Sequence, residues 1–225
     1  MQVKRRLEDL WNRQYKSPHG PMGWLAGERM VHQHRLETAW TLNLLEIEPT
    51  DTVLEVGFGA GQGIKLAAEQ VPHGRVLGID LSEMMVRVAT RRNAQAVKAG
   101  RVALAQGTMT ALPFADHSFD KIMTIHTFYF WPEPLRVLRE LSRVLKPGGR
   151  LIITLSTGKI NARGEVEVWP PFQVALQEQV MPAMRREGFQ VVRVEPGPTS
   201  RQYTSVAVIG HKEQFNSDLL AFLQS

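Results

Sequence analysis

Cysteine is absent from all 225 residues of the chain. This absence excludes disulfide bonds, a thiol nucleophile and thiolate metal ligands. Long hydrophobic runs are also missing: the apolar stretches have the length of strands, whereas a membrane-spanning helix needs about 20 apolar residues. The first residues include basic side chains without a following apolar core, which is not the pattern of a signal peptide. These absences predict a cytoplasmic protein without a membrane span.

An excess of basic residues is the main departure from an average composition. The chain has 27 Lys and Arg against 22 Asp and Glu, a formal net charge of +5 and a pI of about 9.7. Such a charge favours an anionic partner such as nucleic acid. It also fits a surface that simply carries many arginines, and we favour this second interpretation. The length suits one domain, and no segment indicates an oligomeric state.

A strand followed by alternating glycines is the clearest motif. Residues 52–56 are apolar and β-branched apart from one acid, which predicts a buried strand of a parallel sheet. Every second residue after them is glycine: Gly57, Gly59, Gly61 and Gly63. A strand, a glycine turn and a helix bring backbone close to a nucleotide in doubly wound α/β folds. The dinucleotide motif G-x-G-x-x-G fails because Gln62 and Ile64 stand where its third glycine is required.

Two acidic residues flank this turn. Glu55 lies within the first predicted strand, and Asp80 ends the second, over residues 75–80. In doubly wound folds an acid at that strand end accepts hydrogen bonds from ribose hydroxyls. Ser82 then predicts the N-cap of a helix that runs to about Ala99.

Three further motifs complete a family pattern. They are Leu81-Ser82-Glu83-Met84-Met85 after Asp80, Leu112-Pro113-Phe114 after the third predicted strand, and Leu145-Lys146-Pro147-Gly148-Gly149 before the fifth. With Glu55 and the glycine turn, they resemble the class I S-adenosylmethionine (SAM)-dependent methyltransferases. The resemblance is to the small-molecule type, methyltransferase type 11 and the ubiquinone–menaquinone biosynthesis enzymes. It covers roughly residues 50–210, in the family's motif order.

The resemblance implies a Rossmann-like, doubly wound α/β fold. Its mostly parallel seven-stranded sheet would end in an antiparallel C-terminal hairpin. One domain would span the chain, with an N-terminal helical cap over residues 1–50, a core over 51–210 and a C-terminal helix over 211–225. In this family, segments ahead of the first strand cover the cofactor and help to form the substrate pocket.

The resemblance also implies SAM as the cofactor and S-adenosylhomocysteine (SAH) as the product, without a metal. The cofactor-binding residues that it assigns are Glu55, Gly57, Phe58, Gly59, Gly61, Asp80, Leu81, Met85, Thr108, Met109 and Ile125. Thr108 stands where the family usually has Asp, so it offers a hydroxyl without the charge. A cationic donor favours ionised carboxylates at Glu55 and Asp80.

The methyl acceptor is expected beyond the fourth predicted strand, because ligands lie outside the carboxyl ends of parallel strands. His126 lies there and is the first candidate for a general base. Tyr129 is the second catalytic candidate and His34 the third. The residues expected to contact the acceptor are Trp24, His126, Tyr129 and Phe130. The aromatic neighbours Phe128 and Trp131 are expected to pack in the core.

Two other segments carry weaker signals. His32 and His34 are two residues apart on a predicted helix and therefore point to different faces, so we expect no metal site there. Residues 156–171 are polar and are expected to be irregular. Within them, Trp169-Pro170-Pro171-Phe172 is interpreted as the entry to a helix over residues 172–187.

These observations favour a SAM-dependent methyltransferase whose acceptor is a small, apolar or aromatic molecule methylated on O, N or C. One alternative is an RNA- or protein-directed methyltransferase, which the pI supports. The missing [DNS]-P-P-[YFW] motif after the fourth strand disfavours it, and nucleic acid is therefore not the favoured partner. A second alternative is a non-catalytic nucleotide-binding domain, which the change at Thr108 leaves open.

Overall fold

The sheet and its helices are seen in a computed structural model that describes residues 27–29, 31–161, 163–200 and 203–214. The expected first helix, Trp24 and most of the expected C-terminal helix lie outside these residues. The strands are β1 (Thr52–Val56), β2 (Arg75–Asp80), β3 (Val102–Gln106), β4 (Phe119–Ile125), β5 (Leu145–Ile160), β6 (Val166–Val168), β7 (Phe189–Ser200) and β8 (Tyr203–Lys212). The helices are α1 (Arg35–Leu45), α2 (Gln62–Gln70), α3 (Glu83–Arg92), α4 (Ala94–Lys98), α5 (Pro134–Val144), α6 (Pro170–Ala175) and α7 (Met181–Arg186). None of the helices in these ranges is long and apolar enough to cross a membrane.

The sheet has the strand order β3-β2-β1-β4-β5-β8-β7, with β6 paired to β5. Strands β1 to β5 pair in parallel, and β7 and β8 form the antiparallel hairpin. The order reverses at β1, so the ends of β1 and β4 border the crevice where doubly wound folds bind ligands. This arrangement confirms the Rossmann-like fold that the sequence predicts.

The short strand β6 makes the sheet eight-stranded instead of seven-stranded. It exists because β5 continues to Ile160 and the chain folds back on it, pairing Gly158 with Val168. The expectation of an irregular segment over residues 156–171 is therefore wrong for residues 156–160 and 166–168. Ser156 and Thr157 are polar but buried, since they belong to a strand in the interior of the protein.

The core forms on both faces of the parallel strands. Successive residues of a strand point to opposite faces, and buried apolar residues of β1 and β4 occupy both faces. Leu54 and Ile122 pack with α5 on one face, whereas their neighbours Val53 and Met123 pack with α1 and α2 on the other. The two-sided burial explains why the strands read as continuous apolar runs in the sequence.

Two helices predicted as continuous are interrupted. Ser82 caps α3 as predicted and accepts a hydrogen bond from the Met85 amide, but the helix stops at Asn93 and resumes as α4. The Asn93 side chain instead donates to the carbonyls of Gly61 and Ala89, at 3.1 and 2.8 Å. The helix expected over residues 172–187 comprises α6 and α7, joined by a π-helical turn at Leu176–Val180.

Candidate active site

A cavity of about 1280 Å³ opens at the carboxyl ends of the parallel strands. Fourteen of the sixteen residues that the sequence assigns to the cofactor, the acceptor or catalysis line it: His34, Glu55, Gly57, Phe58, Gly59, Asp80, Leu81, Met85, Thr108, Met109, Ile125, His126, Tyr129 and Phe130. Trp24 lies outside the described residues, and Gly61 does not line the cavity. The assigned residues thus occupy one continuous space.

The glycine turn after β1 forms one wall of this cavity. Gly57 and Gly59 have φ angles of +76° and +52°, which glycine adopts without strain. A Cβ on Gly57 would lie 2.3 Å from the Thr127 side chain, so the turn packs directly against the loop after β4. Among the described residues, a Cβ on Gly59 would meet nothing within 4 Å. The backbone at Gly59 is therefore open to the close approach of a ligand.

Asp80 links this turn to the end of β2. One carboxylate oxygen accepts a hydrogen bond from the Gly59 amide at 2.8 Å, and the other accepts one from the Ser82 amide at 2.9 Å. A carboxylate has about four lone-pair sites, so two remain for the hydroxyls of a ribose. Burial raises the pKa of Asp80, and the two backbone hydrogen bonds oppose that rise.

Glu55 lies deeper, under the start of α2, and is 3% exposed. Burial, with the nearby charge of Asp80, raises its pKa well above the usual range. Its Oε2 atom has no hydrogen-bond partner among the described residues. Gly63 makes room for this carboxyl, because a Cβ there would lie 2.5 Å from it. Burial therefore shifts Glu55 towards its protonated form, whereas a cationic ligand, as the sequence suggested, favours the ionised form.

Apolar side chains line the cavity next to Asp80. Leu81 is 55% exposed although it is apolar, and Met85 is buried beside it. Both line the cavity, as do Thr108 and Met109. The Thr108 hydroxyl shares a hydrogen bond of 2.9 Å with Thr110. A flat apolar ring with polar edges, such as adenine, fits this combination of apolar walls and a hydroxyl.

The segment ahead of β1 lies over the glycine turn. Residues 27–29 and 31–33 are helical, and several of them line the cavity. Glu28 pairs with Arg92 of α3, and the Arg92 Nε atom donates to the Ala60 carbonyl at 2.8 Å. These contacts hold the segment against the glycine turn.

His126 follows β4 at the other end of the cavity. Its φ of +55° is a left-handed conformation that non-glycine residues rarely adopt. The conformation is held by a hydrogen bond of 2.8 Å from its amide to the Thr154 carbonyl. Burial, with the charge of His34 as a second cause, lowers the pKa of His126 to about 3. The imidazole is therefore neutral at pH 7.

Tyr129 is held rigidly beside His126. Its hydroxyl donates to the Ser156 carbonyl at 3.0 Å and accepts a hydrogen bond from the Ser156 amide. Burial raises the pKa of Tyr129 to about 12. Because its proton is used in the bond to Ser156, the hydroxyl is a positioned neutral group. Phe128 and Trp131 are buried in the core, as the sequence predicts.

Aromatic rings from distant segments complete this end of the cavity. Phe172 packs edge-on against Tyr129, with ring centroids 5.1 Å apart, and Trp169 contacts both Phe172 and Tyr203. All of them, with Phe130, line the cavity. The sequence did not indicate that Trp169, Phe172 or Tyr203 belongs to the site. The two aromatic residues of the Trp169-Pro170-Pro171-Phe172 segment were the one feature in the sequence that could have indicated a role in the site.

A polar cluster lies at the same end. One possible metal-ligand atom from each of His34, Glu37 and His126 lies within 4.8 Å of the other two. The sequence carries a signal for this cluster, because His34 and Glu37 are three residues apart and share a helix face.

Gly61 has a different role from its neighbours in the turn. It is the N-cap of α2 with a φ of +80°. A Cβ there would lie 2.6 Å from the Ala89 Cβ and 2.9 Å from the Asn93 side chain. Gly61 thus allows α2 and α3 to pack closely behind the cavity wall.

Replacing Gly61 should therefore reduce stability. We expect Gly61→Ala to lower the free energy of unfolding by about 2–4 kcal/mol, from left-handed strain plus overpacking. Gly100→Ala is the matched control, since Gly100 has a φ of +71° but open space around it, and we expect a loss of about 1–2 kcal/mol. Urea unfolding measures both. Equal losses in the two variants would contradict the packing role.

Comparison with known proteins agrees with this geometry. A methyltransferase-domain family model, Methyltransf_11, matches residues 54–153. An uncharacterised methyltransferase of Bacillus subtilis, YdaC, is 32% identical over 141 residues, which cover 63% of this chain and 76% of the relative. A demethylmenaquinone methyltransferase of Listeria welshimeri is 34% identical over 143 residues, and the match spans 62% of this chain but only 60% of that relative.

Among solved structures, a SAM-dependent methyltransferase of Aquifex aeolicus superposes with a TM-score of 0.63 at 25% identity. The match covers 83% of this chain and 96% of that one. Its fold is the one described above. The unpaired Glu55 oxygen, the open backbone at Gly59 and the free lone pairs of Asp80 also suit the cofactor of such enzymes. The chain therefore belongs to the class I SAM-dependent methyltransferases.

Proposed function

We propose that this enzyme transfers the methyl group of SAM to a small, apolar or aromatic acceptor. The observation that carries the proposal is the continuity of the cavity. Its cofactor wall at Gly57 is in direct contact with Thr127, and Thr127 is followed by the aromatic wall of Tyr129 and Phe130. Donor and acceptor would thus share one space, with aromatic rings at its acceptor end.

The cofactor-binding residues along this wall would contact different parts of SAM. Asp80 would accept hydrogen bonds from the ribose hydroxyls, and Leu81, Met85 and Met109 would pack on the adenine. The backbone of Gly57 and Gly59 would contact the amino-acid end, with Glu55 beneath it. When bound, SAM supplies a methyl group on a positively charged sulfur, and the neutral thioether left behind is a good leaving group. The protein then has mainly to align the acceptor atom with that methyl group.

His126 is the residue that we propose at the point of transfer. Its neutral imidazole carries a lone pair in a site bordered by aromatic rings and would accept a hydrogen bond from the acceptor. With a pKa of about 3 it is a weak base, so it would take up the acceptor proton as methyl transfer makes the acceptor atom positively charged and that proton acidic. Tyr129 would orient the acceptor and not act as a base, because its own proton is bound to Ser156. The rings of Phe130, Trp169 and Phe172 would bind the apolar part of the acceptor.

A panel of acceptors tests this proposal. Purified protein is incubated with SAM and with small phenols, quinols, amines, total RNA or a protein mixture, and SAH release is measured. We expect turnover with one or more aromatic small molecules. The demethylmenaquinone methyltransferase relative makes a reduced naphthoquinone a rational member of the panel. Turnover with RNA or protein alone would overturn the proposal in favour of a macromolecular acceptor.

SAM binding is expected to release protons. In the free protein the pKa values of Glu55 and Asp80 are raised, and a cationic ligand favours their ionised forms and so lowers both values. Between the bound and free pKa values, binding therefore expels a proton, and the Kd falls as the pH rises. Above the free values the Kd becomes constant.

Calorimetry in buffers of different ionisation enthalpy measures this release. Glu55→Gln is the control variant, which should lose most of the buffer dependence. Affinity that weakens as the pH rises, or equal heats in every buffer, would show that these carboxyls do not face the positive charge.

A further inference from the structure

Three side chains with metal-binding chemistry converge at the acceptor end of the cavity. His34 is the N-cap residue of α1, Glu37 lies in its first turn, and His126 follows β4. The ring centroids of His34 and His126 are 4.0 Å apart. One ligand atom of each residue lies within 4.8 Å of the others. Residues almost ninety positions apart therefore form one compact cluster.

A single residue of β5 holds both parts of this cluster in place. The Thr154 hydroxyl shares a buried hydrogen bond of 2.6 Å with Thr41 of α1. The Thr154 carbonyl accepts the His126 amide at 2.8 Å. Both anchors lie in the buried interior, so the positions of α1 and of His126 are fixed relative to each other. The cluster is thus set by the rigid fold and not by a loop.

The imidazole of His126 has unused binding capacity. Its Nε2 atom is buried without a hydrogen-bond partner among the described residues. Its Nδ1 atom lies 3.5 Å from the Tyr129 hydroxyl, which is long for a hydrogen bond. Buried polar atoms are nearly always paired with protein, water or an ion. A cation at Nε2 would supply that partner, and the Glu37 carboxyl, which is 1% exposed, lies close enough to reach the same ion.

We infer that His34, Glu37 and His126 bind one divalent transition-metal ion. Two imidazoles and one carboxylate are the ligand set of many catalytic zinc sites and of non-haem Fe²⁺ sites, whereas Mg²⁺ and Ca²⁺ prefer sites made of oxygen. Ligand atoms about 2.1 Å from one tetrahedral ion lie about 3.4 Å apart. Because the three ligand atoms lie within 4.8 Å of one another, the side chains need to close by at most about 1.4 Å. The two rings must tilt to direct their lone pairs at one point.

The open coordination positions would face the acceptor. His34 and His126 line the cavity, whereas Glu37 is buried behind them. This consequence rests on the proposed function: an acceptor hydroxyl bound to the ion loses its proton to water more readily than a free one. The His126 lone pair then holds the ion and does not take the proton itself. Acceptors with an oxygen next to the methylated hydroxyl would bind most tightly, because both oxygens can contact the ion.

Metal binding is tested on tag-free, full-length protein that has been treated with a chelator and dialysed. Zn²⁺ binding is measured by calorimetry, and Co²⁺ binding by its visible absorption, without SAM or acceptor. The variants are His34→Asn, Glu37→Gln and His126→Asn. The matched control is His32→Asn, since His32 belongs to the same segment but is exposed. SAM binding and thermal unfolding of each variant check that the fold is retained.

We expect one ion per chain, an affinity at least about 10-fold weaker in each of the three variants, and no change in His32→Asn. The Co²⁺ spectrum of the wild type should show intense bands of low coordination number that the His126 variant lacks. Affinity that is unchanged in His126→Asn, or that falls equally in His32→Asn, would overturn the site. Methyl transfer by a protein that binds no metal would overturn this inference and leave the proposed function standing.

Discussion

Asp80→Ala is expected to raise the Kd for SAM by at least about 100-fold. The carboxylate has two roles, because it accepts the backbone amides of Gly59 and Ser82 and would also accept the ribose hydroxyls. Hydrogen bonds to a charged group contribute about 1.5–3 kcal/mol each, and 1.4 kcal/mol is tenfold in affinity. Losing the ribose bonds and loosening the glycine turn together give a loss of this size.

The cofactor experiment has a matched control three residues away. Glu83 carries the same charge near the same strand end, but its side chain is 68% exposed and pairs with Arg87 at the surface. Glu83→Ala should therefore bind SAM like the wild type. Asp80→Asn should fall between the two, since its amide oxygen still accepts one hydrogen bond. Calorimetry with SAM or SAH measures the affinity of each variant. Unchanged affinity in Asp80→Ala would contradict the assignment of Asp80 to the cofactor site.

His126→Asn is expected to reduce kcat for the acceptor by about 100-fold or more while the Kd for SAM changes little. Asparagine tolerates the left-handed conformation with φ of +55° better than other side chains without a ring. The substitution therefore removes the imidazole and retains the backbone. The loss follows whether the imidazole takes the acceptor proton or holds the ion that promotes its release.

Tyr129→Phe provides a comparison within the same loop. It removes the bonds to Ser156 but retains the ring packing against Phe172, so we expect a higher acceptor KM and a kcat that falls by less than in His126→Asn. Steady-state kinetics on the best acceptor from the panel measures both. A kcat in His126→Asn equal to that of the wild type would show that the imidazole does not take part in transfer.

The cofactor half of the site could be predicted from the sequence because it is built from contiguous segments. A strand, a glycine turn and a helix are local structures, and their spacing determines where Glu55, Gly59 and Asp80 lie. The same locality made Ser82 recognisable as an N-cap. Asp120, by contrast, has a structural role away from the cavity, where it accepts the Thr52 amide and pairs with Lys146.

The acceptor half could not be predicted because it depends on contacts between distant segments. Trp169, Phe172 and Tyr203 reach the cavity because β5 continues past Leu155 and its extension pairs with β6 and with the first residues of β8. The polar residues of β5 suggested an exposed loop, although Ser156 is buried and holds Tyr129. His34 and Glu37 likewise meet His126 through the packing of α1 on β5. Local propensity does not encode such contacts.

A crystal structure of the complex with SAH tests the central claim most directly, since the claim is that one cavity holds donor and acceptor side by side. We predict that the ribose hydroxyls lie within hydrogen-bond distance of Asp80, that the amino-acid end lies along Gly57 and Gly59, and that the sulfur faces His126. SAH bound elsewhere, or bound here with its sulfur directed towards Thr108 and away from His126, would contradict the account.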